Sequence, residues 1–251
     1  MNIAVCVKQI PDPATPYQLD GENHWVIRPN DQVLDDTDRS GVEIALQLAE
    51  ATEGTVTLFS MSPSGSLQGI RQALAMGADK AVLIDDETLK GADALTTARV
   101  LAAAMTREGF DLVVAGTEST DGYSGVMPQM MSEILDVPCL SFARKVEAGD
   151  GSVTIERQTA SGYNVVTAPV PALITVTAGI EPRYPTFKGI MQAKSKPVTT
   201  FTAADLGVDI ESGQTIQSVN PVAARAGGSI VEDDGSAFEA IVELLEQVKV
   251  I

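Results

Sequence analysis

Aromatic and basic residues are scarce in this 251-residue chain. Aromatic residues make up 4% of it, so a hydrophobic core must be built mainly from Ala, Val, Leu and Ile. Lysine and arginine number 17 against 34 aspartates and glutamates, which gives a formal net charge of −17. Nucleic acids and anionic membranes attract clustered cations, so this acidic excess argues against either of them as the partner.

Cysteine and histidine are too few for most of the chemistry that depends on them. Cys6 and Cys139 form no CxxC pair, and both are interpreted as small core residues, with a chemical role as the alternative. A single histidine, His24, cannot make a histidine-rich metal site, and its turn-like surroundings give a histidine-dependent catalyst little support. We find no membrane-length apolar run and no signal-peptide pattern, so we expect a soluble, cytoplasmic protein.

Strand-like and helix-like segments alternate through residues 1–137. Short apolar runs typical of buried parallel strands lie at 3–7, 55–59, 80–84 and 111–115. Amphipathic or alanine-rich stretches predict helices at 38–50, 67–76, 94–108 and 126–135, the third with Gly109 as its C-cap. This alternation predicts an α/β protein with a doubly wound, mostly parallel sheet that is covered by helices on both faces.

The pattern changes after residue 138. Short β-type runs separated by glycine and proline predict antiparallel hairpins appended to the sheet, at 140–146, 152–158, 163–168 and 172–176. A helical turn is expected at 189–193. Residues 236–248 are predicted to form an amphipathic helix, which either folds back on the domain or packs on a partner, and we favour the partner. We therefore divide the chain into an α/β domain, residues 1–196, with its hairpins at 139–178, and an extended C-terminal arm and helix, residues 197–251.

The stretch 116–125, GTESTDGYSG, is the best candidate for a ligand site. It lies between a predicted strand and a predicted helix, and ligands of open α/β sheets bind beyond the carboxyl ends of the strands. Its small residues would let a phosphate approach the backbone N–H groups of a helix N-terminus. A plain strand-to-helix connection explains the pattern equally well. Neither a GxGxxG nor a GxxxxGK[ST] motif occurs, so a standard dinucleotide site and a P-loop are unsupported.

Acidic residues cluster around the first predicted helix and the ligand-site stretch. One group can be read as a cation site, but helix capping and first-turn acids explain it better: Asp31, Asp35, Asp36 and Asp38. A second group could pair for acid–base chemistry, although we interpret its members as loop and capping residues: Asp111, Glu118 and Asp121.

One stretch departs from the acidic composition. Residues 182–204 hold four bases and no acid, together with the apolar side chains Tyr184, Phe187, Ile190 and Met191. Apolar anchors beside positive charge suit a protein-docking loop, because burial supplies affinity and charge steers association. The alternative is a solvated loop with a few buried anchors.

Four segments resemble the β subunit of electron transfer flavoproteins, and the likeness covers nearly the whole chain. They are VKQ at 7–9, IRQALAMGAD at 70–79, AGTESTDG at 115–122 and, most specifically, EPRYPTFKGIMQAK at 181–194. The resemblance implies an adenine-nucleotide-binding, Rossmann-like fold and a heterodimer whose α subunit carries the redox-active FAD. It also implies a non-catalytic subunit that holds AMP structurally and docks redox partners. The FAD would carry electrons from acyl-CoA and related dehydrogenases to a quinone reductase.

Site residues follow from the resemblance by position. The AMP contacts would be Cys6, Asp35, Asp36, Thr37, Asp38, Met61, Gly116, Thr117, Asp121, Gly122, Tyr123, Ser124, Gly125, Val126 and Met127, with the main chain of 122–127 around the phosphate. Residues 182–196 correspond to the family's partner-recognition loop, with docking residues Arg183, Tyr184, Pro185, Phe187, Lys188, Ile190, Met191 and Lys194. Phe187 stands where the family commonly has an apolar anchor, usually leucine.

Two departures from the family pattern bear on these assignments. Gln158 replaces a carboxylate that is expected to interact with the flavin domain of the α subunit. Residues 121–125, DGYSG, lack the run typical of electron-bifurcating members with a second FAD, so we favour AMP and keep the bifurcating variant as an alternative. A stand-alone, stress-protein-like nucleotide binder is the other alternative, although it would need neither the docking loop nor the C-terminal helix. An ATP-pyrophosphatase is disfavoured, because residues 8–12 do not resemble its phosphate loop.

Overall fold

Apolar runs rich in Val, Ile, Leu and Ala form the central strands, which are buried on both faces. The structure is a computed structural model that describes residues 1–63, 66–177, 179–220, 227–228 and 230–251. Its strands are β1 (Asn2–Cys6), β2 (Gln9–Ile10), β3 (Val33–Leu34), β4 (Thr55–Met61), β5 (Lys80–Ile84), β6 (Leu112–Gly116), β7 (Cys139–Gly149), β8 (Ser152–Thr159), β9 (Gly162–Pro169), β10 (Ala172–Val176) and β11 (Val198–Phe201). Its helices are α1 (Asp36–Thr52), α2 (Gln68–Met76), α3 (Ala94–Glu108), α4 (Met127–Leu135), α5 (Phe187–Ala193), α6 (Ala203–Leu206) and α7 (Ala237–Gln247).

The described residues build a nine-stranded sheet in the order β11-β5-β4-β1-β6-β10-β7-β8-β9. Neighbouring strands from β11 to β7 are parallel, whereas β8 and β9 extend the sheet as antiparallel hairpins. The short strands β2 and β3 pair with each other in a separate antiparallel ribbon. The predicted α/β fold, a doubly wound and mostly parallel sheet with appended hairpins, is therefore confirmed.

One strand joins the sheet differently from the prediction. The run at 172–176 is expected in a hairpin, but the structure places β10 between β6 and β7 and parallel to both. All five of its residues are buried. A strand in the middle of a sheet covered by helices must be apolar on both faces, and ALITV has only one polar residue. The hairpin prediction for this run is therefore wrong, because a local pattern does not specify which strands become neighbours.

Two apolar clusters hold the helices to the sheet, one on each face. α1 and α2 cover one face with side chains such as Val42 and Leu74, and α3 and α4 cover the other with side chains such as Met105 and Met131. Cys6 is buried in the second cluster, as predicted, whereas Cys139 is only half-buried. With both faces covered, the carboxyl edge of the parallel strands remains as the place where loops from several strands can meet a ligand.

The helices lie close to their predicted positions, and α1 is longer than predicted. α3 and its glycine cap, Gly109, match the expected bounds. α1 begins at Asp36 rather than at residue 38, because the Asp35 side chain accepts a hydrogen bond from the Thr37 N–H and caps the helix. Within the ranges that the structure describes, none of the helices combines the length and the apolar character that crossing a membrane demands.

The region after residue 196 begins with regular structure. β11 pairs in parallel with β5, and α6 follows it directly. The chain divides into a first unit, Met1–Ile216, and a second unit, Gln217–Ile251, so the first unit continues past the predicted boundary at residue 196. Parts of the predicted arm, 221–226 and 229, lie outside the described residues. In the second unit, α7 matches the predicted amphipathic helix and buries none of its residues.

Candidate functional site

The loops of the candidate site meet at the switch point of the sheet, between β1 and β6. The chain passes from β1 through α1 to β4 on one side, whereas β6 pairs with β1 on the other side. β1 ends at Cys6 and β6 ends at Gly116, so the loops that follow these two strands emerge side by side. Ligands of open α/β sheets bind in the crevice at such a reversal of strand order.

Asp35 joins the start of α1 to the loop at 116–126. Its buried carboxylate accepts hydrogen bonds through Oδ1 from the N–H and hydroxyl of Thr37, at 3.1 and 2.9 Å. Oδ1 also accepts from the Thr120 hydroxyl at 2.7 Å, and Oδ2 accepts from the Thr120 N–H at 2.7 Å. Because four protein donors occupy this carboxylate, Asp35 supports the shape of the site and has little capacity left to contact a ligand.

Asp121 is buried between two cations. Lys8 Nζ donates to Asp121 Oδ1 at 2.7 Å, and the Arg28 guanidinium donates to the other oxygen. Burial raises the pKa of Asp121, but the charges and hydrogen bonds of Lys8 and Arg28 outweigh burial and hold the pKa below its ordinary value. The ionised carboxylate therefore fixes an ammonium and a guanidinium group beside the loop, and both groups remain partly exposed.

Two residues of this cluster, Arg28 and Tyr17, come from the connection between β2 and β3. No local sequence signal places them near residue 121, whereas Lys8 could have been assigned because it follows β1 directly. The Tyr17 hydroxyl oxygen is buried and has no hydrogen-bond partner among the described residues. Burial raises the pKa of Tyr17, and the nearby Asp121 and Asp35 raise it further. A buried hydroxyl without a partner is a group that a polar ligand can satisfy.

Asp38 and Gly116 are in close contact at the base of the site. Asp38 Oδ2 accepts a hydrogen bond from the Lys8 N–H at 2.6 Å. Burial, reinforced by the charge of Asp35, raises the pKa of Asp38 well above its ordinary value. A Cβ atom at position 116 would lie 2.9 Å from Asp38 Oδ1 and 3.1 Å from Thr37 Oγ1, so the packing requires glycine. The next residue, Thr117, is anchored because its N–H and hydroxyl donate to the Val176 carbonyl.

The loop leads into a helix N-terminus that lacks a capping side chain. Val126 is the N-cap residue of α4, and no side chain among the described residues accepts a hydrogen bond from the first N–H groups of this helix. Gly125 has a φ of +63°, a conformation that favours glycine, and Tyr123 has a φ of +47° with its side chain exposed to solvent. Backbone N–H groups at residues 124–127 are therefore available to an anion.

The remaining predicted AMP contacts differ in their access to a ligand. The Cys6 thiol is buried, and burial together with Asp38 raises its pKa, which makes it an unreactive lining group. Met61, at the end of β4, is half-buried against the second apolar cluster. Asp36 lines a cavity of about 430 Å³ between the start of α1 and residues 181–185, and Thr37 lines this cavity as well as contacting Asp35 at the switch point. The predicted AMP contacts therefore divide between the switch-point loops and this neighbouring cavity.

The acidic residues near α1 act as hydrogen-bond acceptors for the protein itself. Asp35 caps α1, Asp38 binds the Lys8 N–H, and the Asp31 carboxylate accepts from the Gln68 side chain. Across the described parts of the chain, no three His, Cys, Asp or Glu side chains form a group that could hold a metal ion. The capping interpretation is confirmed, because Asp35 caps α1 and Asp36 and Asp38 are acidic residues of its first turn.

The predicted recognition loop, residues 182–196, presents apolar side chains to solvent. Tyr184 and Phe187 are 89% and 81% exposed, and Ile190 and Met191 are about half exposed. α5 begins at Phe187 and is longer than the predicted turn at 189–193, because the Thr186 hydroxyl caps it by accepting from the Gly189 N–H at 3.0 Å. Large apolar side chains that lie exposed on one segment mark an interaction surface.

Two of the four bases in this loop make contacts within the protein. Arg183 pairs with Glu43 and Glu50 of α1. The Lys196 ammonium donates to the carbonyls of Leu74, Gly77 and Ala78 at the end of α2. Lys188 and Lys194 are exposed beside the apolar side chains. Lys188 and Lys194 therefore supply the exposed positive charge of this loop, while Arg183 and Lys196 hold the loop to α1 and α2.

Comparison with known proteins gives matches to one family. A family model described as "Electron transfer flavoprotein domain" matches residues 24–206. The chain is 40% identical to the electron transfer flavoprotein subunit beta of Mycobacterium tuberculosis, in an alignment that covers 100% of this chain and 99% of the relative. Proteins of the same name from Megasphaera elsdenii and Thermoanaerobacterium thermosaccharolyticum are 34% and 33% identical, and each alignment covers 100% of both chains.

Proposed function

This chain belongs to the electron transfer flavoprotein family, as a β subunit, and we propose that it pairs with an α subunit that carries the redox-active FAD. In this complex the FAD takes electrons from acyl-CoA and related dehydrogenases and passes them to a quinone reductase. The β subunit catalyses no step itself, holds AMP structurally and docks the redox partner. The observation that carries the docking role is the exposure of Tyr184 and Phe187 on a loop that is held at both ends.

The proposed AMP site lies at the switch point of the sheet. The N–H groups of 124–127 would hold the phosphate beside the Lys8 ammonium, since those of Gly122 and Tyr123, which were also predicted to do so, donate to the Ser119 carbonyl. Cys6, Met61 and the start of α1 would border the nucleotide. The residues present fit this group, because an anionic, polar ligand would satisfy the uncapped N–H groups of α4 and the Tyr17 hydroxyl, which has no partner among the described residues. AMP would supply no redox chemistry. By binding only the folded state, it would stabilise the protein by roughly 3–4 kcal/mol at 100 to 1,000 times its Kd.

Co-expression with a candidate α subunit tests the pairing and the nucleotide together. We expect the two chains to copurify with one FAD per pair and to release one AMP per pair on denaturation, identified by mass spectrometry. Release of a second FAD in place of AMP would replace the proposed assignment with the electron-bifurcating type. A stable homodimer that binds no α subunit would contradict the proposal and favour a stand-alone nucleotide-binding protein.

Phe187→Ala tests the docking role. Truncating an aromatic anchor typically costs 2 kcal/mol or more of binding energy, so we expect the second-order rate of FAD reduction by an acyl-CoA dehydrogenase to fall about tenfold or more. The melting temperature should not change, because the side chain is 81% exposed. Phe142→Ala, which truncates an exposed phenylalanine on β7, is the matched control and should leave the rate unchanged. Unchanged transfer in the Phe187 variant would contradict the docking role.

A further inference from the structure

Arg183 is held by two carboxylates of α1. Its N–H and Nε donate to Glu43 Oε2 at 3.0 and 2.8 Å, and its Nη2 donates to Glu43 Oε1 at 3.1 Å. Nη1 and Nη2 also donate to the two oxygens of Glu50, at 2.5 and 3.3 Å. Glu43 and Glu50 are two helical turns apart and therefore lie on one face of α1. The planar guanidinium group spans both carboxylates, which a lysine ammonium could not do.

The burial of Glu43 makes this contact specific. Its side chain is 6% exposed, and the Gln47 amide donates to the same carboxylate at 2.8 Å. Burial raises the pKa of Glu43, but the side-chain and backbone hydrogen bonds from Arg183 outweigh burial, and the pKa lies below its ordinary value. The hydrogen bond from Arg183 likewise lowers the pKa of Glu50. A buried carboxylate with this many donors fixes the position of Arg183 and of the backbone that carries it.

The other end of the recognition loop is held by Lys196. Its Nζ donates to the carbonyls of Leu74, Gly77 and Ala78 at 3.0, 3.1 and 2.6 Å, which satisfies carbonyls at the C-terminus of α2. Between the two contacts, α5 lies against α2 so closely that a Cβ atom at Gly189 would approach the Ala75 carbonyl oxygen to 2.5 Å. The loop is thus attached to two helices that are themselves packed on the sheet.

We propose that Arg183 is a positioning residue, which with Lys196 holds Tyr184 and Phe187 in the arrangement that the redox partner binds. A surface that is ordered before binding loses less conformational entropy in the complex, so its affinity is higher. This inference rests on the proposed docking function. Arg183 would not contact the partner itself but would strengthen binding by holding the apolar side chains of the loop in place.

The first experiment compares Arg183→Gln with Arg107→Gln in the intact α–β complex. Arg107 is a matched control, because it stacks on Phe201 and donates to the Asp205 carbonyl away from the recognition loop. With an acyl-CoA dehydrogenase as electron donor, we expect Arg183→Gln to raise the KM for the complex about tenfold and to leave kcat unchanged. Arg107→Gln should leave both unchanged. A fall in kcat with an unchanged KM would overturn the inference.

A double-mutant cycle with Phe187→Ala separates positioning from other effects. If Arg183 acts by placing Phe187, then Arg183→Gln should raise KM much less in the Phe187→Ala background than in the wild type. An equal rise in both backgrounds would overturn the positioning role. An unchanged KM in Phe187→Ala alone would instead refute the docking function. An effect of Phe187→Ala without an effect of Arg183→Gln would refute the positioning role and leave the docking function standing.

Conservative variants keep the test valid if Arg183→Gln does not fold. Glu50→Gln removes the more exposed half of the contact, with a side chain that is 62% exposed, and should raise KM by a smaller factor. Arg183→Lys keeps the positive charge but cannot span both carboxylates, so its KM should lie between those of the wild type and Arg183→Gln. Faster amide hydrogen exchange at 184–194 in each variant, at an unchanged melting temperature, is the expected structural signature. Wild-type exchange in these variants would contradict the inference.

Discussion

Three aspartates at the candidate site, Asp35, Asp38 and Asp121, carry the same carboxyl group but differ in their hydrogen bonds and charges nearby, because each has different neighbours. Asp35 accepts from hydroxyl and N–H donors, Asp121 lies between two cations, and Asp38 is buried near another acid with one hydrogen bond from the Lys8 N–H. The pKa of Asp121 is lowered and that of Asp38 is raised, although nothing in the sequence distinguishes them. Asp38 therefore lowers the stability of the folded state whenever it is ionised.

Asp38→Asn should make the protein more stable at neutral pH. The folded state holds the Asp38 proton more tightly than the unfolded state, so this group favours folding most below its ordinary pKa of 3.8, and that contribution is lost as pH rises through the raised pKa. Asparagine does not titrate and keeps an oxygen that can accept from the Lys8 N–H. In urea unfolding, the stability advantage of the variant should be smallest near pH 3.5 and should grow toward pH 7.

Asp36→Asn is the matched control for this experiment. Asp36 lies in the same first turn, but its side chain is 88% exposed and pays no cost of burial. Its charge interacts favourably with the helix dipole, so the asparagine variant should be slightly less stable at neutral pH. An advantage of Asp38→Asn that is the same at every pH would show that ionisation of Asp38 is not its cause.

At the scale of elements, α1 connects the two functional regions. Its N-cap residue, Asp35, belongs to the candidate nucleotide site, and Glu43 and Glu50, further along the helix, hold Arg183. The C-cap residue that follows this helix, Glu53, has the left-handed conformation with a φ of 49° that usually belongs to glycine. This helix end carries backbone strain that its position in the fold imposes.

Glu53→Gly should stabilise the protein by about 0.5–1 kcal/mol. Glycine adopts a positive φ without the steric cost that a side chain incurs, and part of this gain is offset by the greater freedom of glycine in the unfolded chain. Glu53→Ala removes the same side chain but keeps Cβ, so it should give no gain. Equal stability changes in the two variants, measured by thermal unfolding, would exclude backbone strain as the cause.

At the scale of the whole molecule, the chain forms two units, and among the described residues only the first unit has a hydrophobic core. The two apolar clusters draw only on residues up to Ile210, within the first unit, Met1–Ile216. In the second unit, α7 exposes Phe238, Ile241 and Leu244, and none of its residues is buried. A helix with this composition gains stability by packing on another surface, which the proposed α subunit would provide.

A chain that ends at Ile216 should fold on its own. Because both apolar clusters stay complete, we expect a cooperative thermal transition within a few degrees of the full-length protein, followed by circular dichroism. The truncated chain should no longer copurify with the α subunit, whereas the full-length chain is the control that does. A non-cooperative transition in the truncated chain would show that residues 217–251 are needed for the fold itself.

Periodicity and capping signals in the sequence determined the elements. The segments 80–84 and 94–108 form β5 and α3 as predicted. Their hydrophobic patterns indicate a strand and a helix regardless of which elements pack beside them. The EPRYPTFKGIMQAK segment likewise predicted a loop with exposed apolar side chains, since its apolar and basic residues are adjacent in sequence, and its role in partner recognition stays a proposal.

Only the tertiary structure decided which distant residues meet. It inserted β10 between β6 and β7, brought Arg28 and Tyr17 to Asp121, and joined Arg183 to Glu43 across 140 residues. Strand order and loop packing depend on many weak contacts between residues that are far apart in sequence, and a local sequence pattern does not predict these contacts. The acidic excess of the chain is therefore a property of the sequence, whereas the fold decides that Arg183 and Lys196 are held by α1 and α2 while Lys188 and Lys194 are exposed.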